Sequence, residues 1–499
     1  MRREKFTITP IPNLTNPAAA CIIIYQHFWT EYLDMVFSSL TFLFAFLPAL
    51  IVCYFGLARR RDMRNWILLA FSVVFYSWGG WSLVPLLLLS IAINWFFGQR
   101  VSVDNPRRTL HLVLAVTGNL GLLFIFKYLG FATEILSGFL PAIVPVEIVL
   151  PIGISFYTFQ GLSYVLDVYM GNAAPTRKIS QVALYIALFP QLVAGPIVRY
   201  STICEELDTR RESTEEAYEG VMRFCFGLAK KVLIANQMGA LADSAFGQSS
   251  TLMSSGLAWL GVIGYSLQIY FDFSGYSDMA IGLGRVFGFH FLENFDYPYI
   301  SRSITEFWRR WHMSLGTWFR DYLYLPLGGN RVSRWKHIRN ILAVWMLTGL
   351  WHGAAWNFVL WGVYYGLLLL LEKFLWGRAL GRCPGVLRHI YTLFFVAIGW
   401  LLFRATDLSI IAVFLKAMLG GAADGLWNNH ATYLLLQYRW ELLAGCLLSC
   451  PLFPFLRRRL DRRGSLLQAV CPVLALVLAF WSCLRLVGSG FNPFIYFQF

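Results

Sequence analysis

The feature that most limits what this chain can fold into is a series of apolar runs separated by short clusters of arginine and lysine. Phe37–Leu57, Trp66–Trp78, Trp81–Phe97, Leu110–Leu136, Pro151–Tyr169, Val182–Val198, Ile341–Leu371, Tyr391–Phe403, Leu434–Phe455 and Leu466–Val487 make up the series. About 20 consecutive apolar residues cross a hydrocarbon core roughly 30 Å thick. Lipid also forces backbone polar groups to pair within their own segment, which favours helices. A chain that is 58% hydrophobic and 14% charged is therefore expected to be an all-α polytopic membrane protein embedded in a lipid bilayer, with no room for a sizeable soluble domain. The net charge of +14 raises nucleic acid as a partner, but the basic residues sit between apolar runs instead of on one face. Arg59, Arg60, Arg61 and Arg64, then Arg100, Arg107 and Arg108, then Arg177 and Lys178 mark cytoplasmic loops under the positive-inside rule, so no nucleic-acid role is expected. Nine cysteines, without CxxC or zinc spacing, predict free thiols and no metal.

Residues 1–34 differ from the rest, with Pro10, Pro12 and Pro17 breaking any helix, and read as an extension upstream of a true start at Met35. Residues 35–499 are expected to form one membrane domain. Lys127, inside Leu110–Leu136, is expected to snorkel towards the interface. Ser155, Tyr157, Gln160 and Asp167 mark Pro151–Tyr169 as a span facing protein or a cavity. Strict alternation would put Arg199–Tyr218 outside despite its charges of both signs, and helices that enter and leave on one side would resolve this. From Val221 to Asn340 the apolar segments look interrupted, a pattern tolerated where backbone is enclosed by protein or lines a wet cavity.

The strongest chemical signal is His352, in Trp351-His352-Gly353 within Ile341–Leu371. If a helix begins near Asn340, this histidine lies about 18 Å deep. An ionisable group there marks a functional site, the bland rival being a histidine hydrogen-bonded between helices. Upstream, Asp272 and Asp278 stand among hydroxyls, and Asp272 either orients a catalytic residue or pairs with an arginine. Gly282, Gly284 and Gly288 are spaced for close helix packing rather than for nucleotide binding. Trp308, Trp311, Leu315, Trp318, Phe319 and Tyr322 recur at helical spacing, with Arg309, Arg310, Thr317 and Arg320 on other faces. That pattern suits an amphipathic surface anchor, or a cationic, aromatic-lined entrance for a phosphate-bearing donor with His312 at its rim.

Phe307-Trp308-Arg309-Arg310-Trp311-His312-Met313-Ser314, Leu323-Tyr324-Leu325-Pro326-Leu327-Gly328-Gly329-Asn330 and Gly349-Leu350-Trp351-His352-Gly353-Ala354 together resemble the membrane-bound O-acyltransferase (MBOAT) family. Within it they are similar to the bacterial branch of alginate O-acetyltransferases, as are Met35-Val36-Phe37-Ser38-Ser39 and Asn492-Pro493-Phe494-Ile495-Tyr496-Phe497. The resemblance implies a ring of about eleven transmembrane helices, with re-entrant and amphipathic helices around a central tunnel, in the bacterial inner membrane. It implies His352 as the catalytic histidine and His312 as a second functional position on the donor side. The implied donor is acetyl-CoA or another cytoplasmic acyl thioester, with no bound cofactor. The implied acceptor lies outside, often reached through a separate extracytoplasmic acyltransferase that modifies an exported polysaccharide.

An imidazole, whose unperturbed pKa is ~6.5, can take the proton of an acceptor hydroxyl as general base. The oxyanion that forms needs a donor, and Asn357 and a backbone amide both qualify. Two rival functions remain at this level. One is D-alanyl transfer from a carrier protein to teichoic acid. The other is a transporter or flippase in which the buried polar groups line a path without bond making.

Overall fold

Helices supply all the regular structure among the described residues of a computed structural model, which are 35–405, 407–452, 454–455, 465–488, 492–493 and 495. The extension 1–34, the basic run Arg457–Arg463 and Phe494, Tyr496 and Phe497 of the closing motif lie outside those residues. Trp81–Gly98, Arg108–Phe139, Trp356–Arg382, Gly385–Arg404 and Val470–Gly488 are long and apolar enough to cross a membrane. Most of their surface faces outward, with only 17% of the Arg108–Phe139 window buried, as expected of helices against lipid.

Two inner helices contrast with these. Ile154–Met170 is buried along nearly its whole length, which explains its polar residues: Asp167 accepts from the Tyr322 hydroxyl at 2.7 Å and the Ser201 amide at 2.8 Å. Ser255–Val286, about 48 Å long at 1.5 Å per residue, is buried on all sides and starts at Ser254, whose side chain accepts from the Leu257 amide. It lies antiparallel to Thr214–Ala229 and Asn236–Phe246. A Cβ on Gly220 would stand 2.5 Å from the Gly282 carbonyl oxygen, and one on Gly275 would stand 2.7 Å from that of Gly227, so only glycine permits the approach. Gly282 is thus a packing residue, as its spacing predicts.

Four expectations need correction. The region from Val221 to Asn340 is not broken throughout, because its first part forms these three helices and irregular backbone is confined largely to Phe287–Ser303 and Leu325–Ser333. Val182–Val198 is not one span: the helix Ile179–Ala187 ends before Pro190, and Gly195 takes a left-handed φ of 108°. Leu434–Phe455 is divided at Tyr438 between Asn429–Gln437 and Arg439–Leu448. The amphipathic segment around His312 is also two short helices, Ile304–Arg310 and Met313–Phe319, and His312 between them has φ 45°. There the Met313 amide bonds the Asn294 carbonyl at 3.0 Å, which diverts the chain from continuing its helix.

Ile341–Leu371 departs furthest from a straight span. Arg334–His352 stops at Gly353, and Trp356–Leu371 returns along it. A Cβ on Gly349 would meet the Phe358 carbonyl oxygen at 2.3 Å, one on Gly362 would meet that of Trp345 at 2.5 Å, and Gly366 faces Leu342. These pairings are antiparallel, so His352 sits at the tip of a tight helical hairpin, at whose other end the Arg334 guanidinium lies 5.2 Å from the Phe374 ring.

Candidate functional site

His352 is 8% exposed and is packed by rings: Trp351 at 5.0 Å, Trp361 at 5.2 Å and Phe403 at 5.1 Å between centroids. Its Nδ1 is buried without a hydrogen-bond partner among the described residues. The backbone that carries it is held by polar groups instead. The last carbonyls of a helix have no partner inside the helix. Here Lys127 Nζ donates to the carbonyls of Trp351 (2.6 Å) and His352 (3.1 Å), and the Tyr128 hydroxyl donates to that of Leu350 (2.7 Å). A cation at the negative end of a helix is favourable electrostatically as well. Lys127 therefore does not snorkel; it turns inward because the orphan carbonyls offer more than the bilayer surface. Phe124–Tyr128 is a π-helical turn, a local widening common at functional sites.

A cavity of about 90 Å³ adjoins this point, lined by Lys127, Ser155, Trp351 and His352 and otherwise by apolar groups such as Ile152 and Val193. Towards the end of the hairpin away from His352 a larger cavity of about 470 Å³ is lined by Ser303, Thr305, Trp345, Glu372, Lys373 and Arg388. Between the two lies an aromatic wall. Trp308 packs against Trp345 (4.7 Å), Tyr365 (4.7 Å) and Trp361 (5.3 Å), and Trp361 in turn touches His352. Several polar atoms in this wall are buried without a partner among the described residues: Trp308 Nε1, Trp351 Nε1, Trp361 Nε1 and the Tyr365 hydroxyl. Unpaired buried donors are costly, and here they concentrate between two cavities.

His312 is held differently. Its Nδ1 lies 3.0 Å from Asn294 Oδ1, an oxygen that also accepts from the Ser314 hydroxyl at 2.8 Å, while Asn294 Nδ2 donates to Ser277 at 3.1 Å. Because Nδ1 faces a carbonyl oxygen, the neutral ring carries its hydrogen there and presents Nε2 as an acceptor. That Nε2 is buried and unpartnered. The Trp351 ring lies 5.9 Å from His312 and 5.0 Å from His352, so one indole bridges the two histidines.

The other sequence candidates separate. Trp308 belongs to the aromatic wall, whereas Trp311 is buried against Phe295 and Trp400 in the core. Neither faces lipid, so the surface-anchor reading of this stripe fails. Arg310 is committed to Asp296 (2.7 Å) and Glu306 (3.1 Å), and Arg309 is exposed and within electrostatic reach of Lys373 at the larger cavity. Asp272 takes the structural alternative with a lysine in place of the arginine, pairing with Lys231 at 2.7 Å and accepting from the Ile495 amide at 3.0 Å. Asn357 donates to the Phe403 carbonyl at 3.2 Å and so supports the ring that packs on His352. Among the described residues no cluster of three or more His, Cys, Asp or Glu could hold a metal ion. Sequence reasoning missed Lys127, Ser155 and Asn294 as parts of the site. A lone lysine in an apolar run carries the same signal of cost as His352 and could have exposed the first.

Comparison with known proteins shows what the chain as a whole resembles. Residues 174–414 match the model of the MBOAT, membrane-bound O-acyltransferase, family. A protein named "Probable alginate O-acetylase AlgI" from Azotobacter vinelandii is 38% identical over 93% of this chain and 100% of its own length. The "Peptidoglycan O-acetyltransferase" of Helicobacter pylori is 34% identical over 77% of this chain and 80% of its own. The "Teichoic acid D-alanyltransferase" of Bacillus subtilis is 30% identical over 50% of this chain and 68% of its own. This likeness across most of the chain identifies it as an O-acyltransferase: it belongs to the membrane-bound O-acyltransferase family, on its alginate O-acetylase-like branch.

Proposed function

We propose that this protein moves an acetyl group from a cytoplasmic thioester, acetyl-CoA, to a hydroxyl acceptor on the other side of the bacterial inner membrane, for O-acetylation of an exported polysaccharide. The observation that carries the proposal is the position of His352 on the small cavity, separated from the cation-bearing larger cavity by a wall of indoles. Lys373 and Arg388 suit the phosphates of a coenzyme. The unpartnered indole and phenol donors suit the amides of its arm, with Trp308 packed on Trp345, which lines the larger cavity. His352 takes the proton of the attacking hydroxyl, and His312, oriented by Asn294, serves the donor side. The acceptor hydroxyl belongs to a glycan or to a serine of an extracytoplasmic acyltransferase partner, and the small cavity admits a single side chain more readily than a sugar chain.

Likeness to the alginate O-acetylase over 93% of the chain, against 50% for the D-alanyltransferase, favours acetyl over D-alanyl. The test combines two measurements on membranes and cells carrying wild-type protein or His352→Ala. Labelled acetyl-CoA should pass its label to envelope material only with wild-type protein, and mass analysis of secreted glycans should show an acetyl ester that the variant lacks. D-alanyl esters in place of acetyl would replace the donor, transfer of label at the wild-type rate by His352→Ala would remove that residue from the chemistry, and no transfer of label by wild-type protein would reject the acyl-transfer reading in favour of transport.

A further inference from the structure

Lys127 Nζ has three acceptors: the carbonyls of Trp351 and His352 at 2.6 and 3.1 Å, and Ser155 Oγ at 3.1 Å. Three acceptors engage all three hydrogens of an ammonium group, so Lys127 has none left for a substrate anion. Ser155 is different. Its oxygen accepts from Lys127, so its own hydrogen points elsewhere, and no acceptor for it is found among the described residues. It lines the same cavity of about 90 Å³ as His352. Apart from Lys127, His352 and the indole of Trp351, the other side chains there, including Leu150, Pro151, Ile152, Ile154 and Val193, carry no donor. Ser155 also stands in the first turn of Ile154–Met170, entered through Gly153 at φ 73°. The helix dipole adds partial positive charge at this end. The unpartnered Nδ1 of the 8%-exposed His352 independently marks this place as one built for a ligand.

We propose that Ser155 is the catalytic residue that donates a hydrogen bond to the acyl oxygen as it becomes an oxyanion, and that Lys127 is the positioning residue that joins Ser155 to the end of the His352 helix. The proposal rests on the acyl-transfer reading. In the step concerned, the acceptor oxygen forms a bond to the thioester carbonyl carbon while its proton passes to His352. The carbonyl π pair moves onto the acyl oxygen, where the Ser155 hydroxyl meets it. Collapse restores the C=O bond, breaks the C–S bond and returns the proton from His352 to the leaving sulfur, giving the acetyl ester and free thiol. Polarisation by the Lys127 ammonium makes Ser155 a stronger donor than a free hydroxyl. The sequence expectation of Asn357 in this role is replaced, because Asn357 is turned to Phe403.

The test measures transfer of labelled acetyl from acetyl-CoA by the full chain in membranes, with donor KM and kcat separated. Ser155→Ala should lower kcat about 10²–10³-fold, the scale of one oxyanion donor, with donor KM unchanged, and Ser155→Thr should recover most of the rate. Lys127→Met should lower kcat too, and the double variant should fall no further than the worse single one, because the two act as a unit. Ser155→Ala within threefold of wild type, a loss seen only in KM, an additive double variant, or a loss that Trp351→Phe reproduces while Ser155→Ala does not, would each overturn the assignment. Absence of transfer by wild-type protein itself would count against the acyl-transfer reading, which separates the two failures.

Discussion

The two histidines are buried within one indole of each other, yet they are held by opposite means. His312 is fixed through its ring, by Asn294 and the Ser314 and Ser277 hydroxyls behind it, on a strained left-handed backbone. His352 has no side-chain hydrogen bond at its Nδ1; its backbone is fixed by Lys127 and Tyr128 and its ring by aromatic contacts. A ring held by hydrogen bonds has a set tautomer. A ring held by packing can change its proton without losing a partner, which is what a group that takes and returns a proton requires. The difference suits the proposed proton shuttling by His352 and a fixed polar support from His312.

The largest expected effect breaks the comparison at its centre. His352→Ala should reduce acetyl transfer by roughly 10²–10⁴-fold, the usual range for a general base, and should exceed the loss from His312→Ala in the same membranes. Next in size is Glu372→Ala. The Glu372 carboxylate accepts from the Ile304 amide at 2.6 Å, the Thr305 amide at 2.9 Å and the Thr305 hydroxyl at 2.6 Å, anchoring the helix that leads to His312. Charge-assisted bonds are worth about 1.5–3 kcal/mol each, so thermal unfolding in detergent should shift down by several degrees while His352 chemistry persists in the folded fraction. Asn294→Leu should free the His312 ring and lower kcat about tenfold, the equivalent of one hydrogen bond of ~1.4 kcal/mol, and Asn294→Asp, which keeps an acceptor, should be milder. Lys373→Gln with Arg388→Gln should raise donor KM several-fold and flatten its dependence on salt, as expected when exposed cations are removed.

The smallest effect concerns pH and lies away from both histidines. Hydrogen bonding to Glu216 raises the pKa of His290, burial opposes it, and Glu206 adds to the rise. A raised value in the folded state gives stability that is full below the ordinary value of ~6.5 and fades as pH rises through the folded one. His290→Gln should therefore remove a shallow stability increase on the acid side in a pH series of unfolding temperatures, with acetyl transfer unaffected. An equal loss of stability at pH 5 and pH 9 would assign the contact to packing instead.

Much of the site is legible along the chain, though unevenly. The cost of an ionisable group at membrane depth singles out His352, and family motifs add His312 and Trp308. The same cost applies to Lys127, but a long aliphatic stem has two escapes, towards the interface or towards protein, and local sequence does not choose between them. Asp272 likewise has a charge that demands a partner, and its partners Lys231 and Ile495 stand 41 and 223 residues away. The helical stripe from Trp308 to Tyr322 looks continuous because periodicity does not register a single left-handed residue at His312.

Apolar lengths and basic loop clusters depend on which residues are present and how they are spaced, so a membrane-embedded helical protein follows from the sequence alone, and the resemblance of its two histidine motifs to a known family adds acyl transfer. The return of the chain at Gly353, the inward turn of Lys127 and the pairing of Asn294 with His312 were decided only by tertiary structure. Transfer from water to lipid is roughly additive along a segment and can be read residue by residue. A buried hydrogen bond needs two partners brought within about 3 Å by packing, and that meeting is a property of the whole fold.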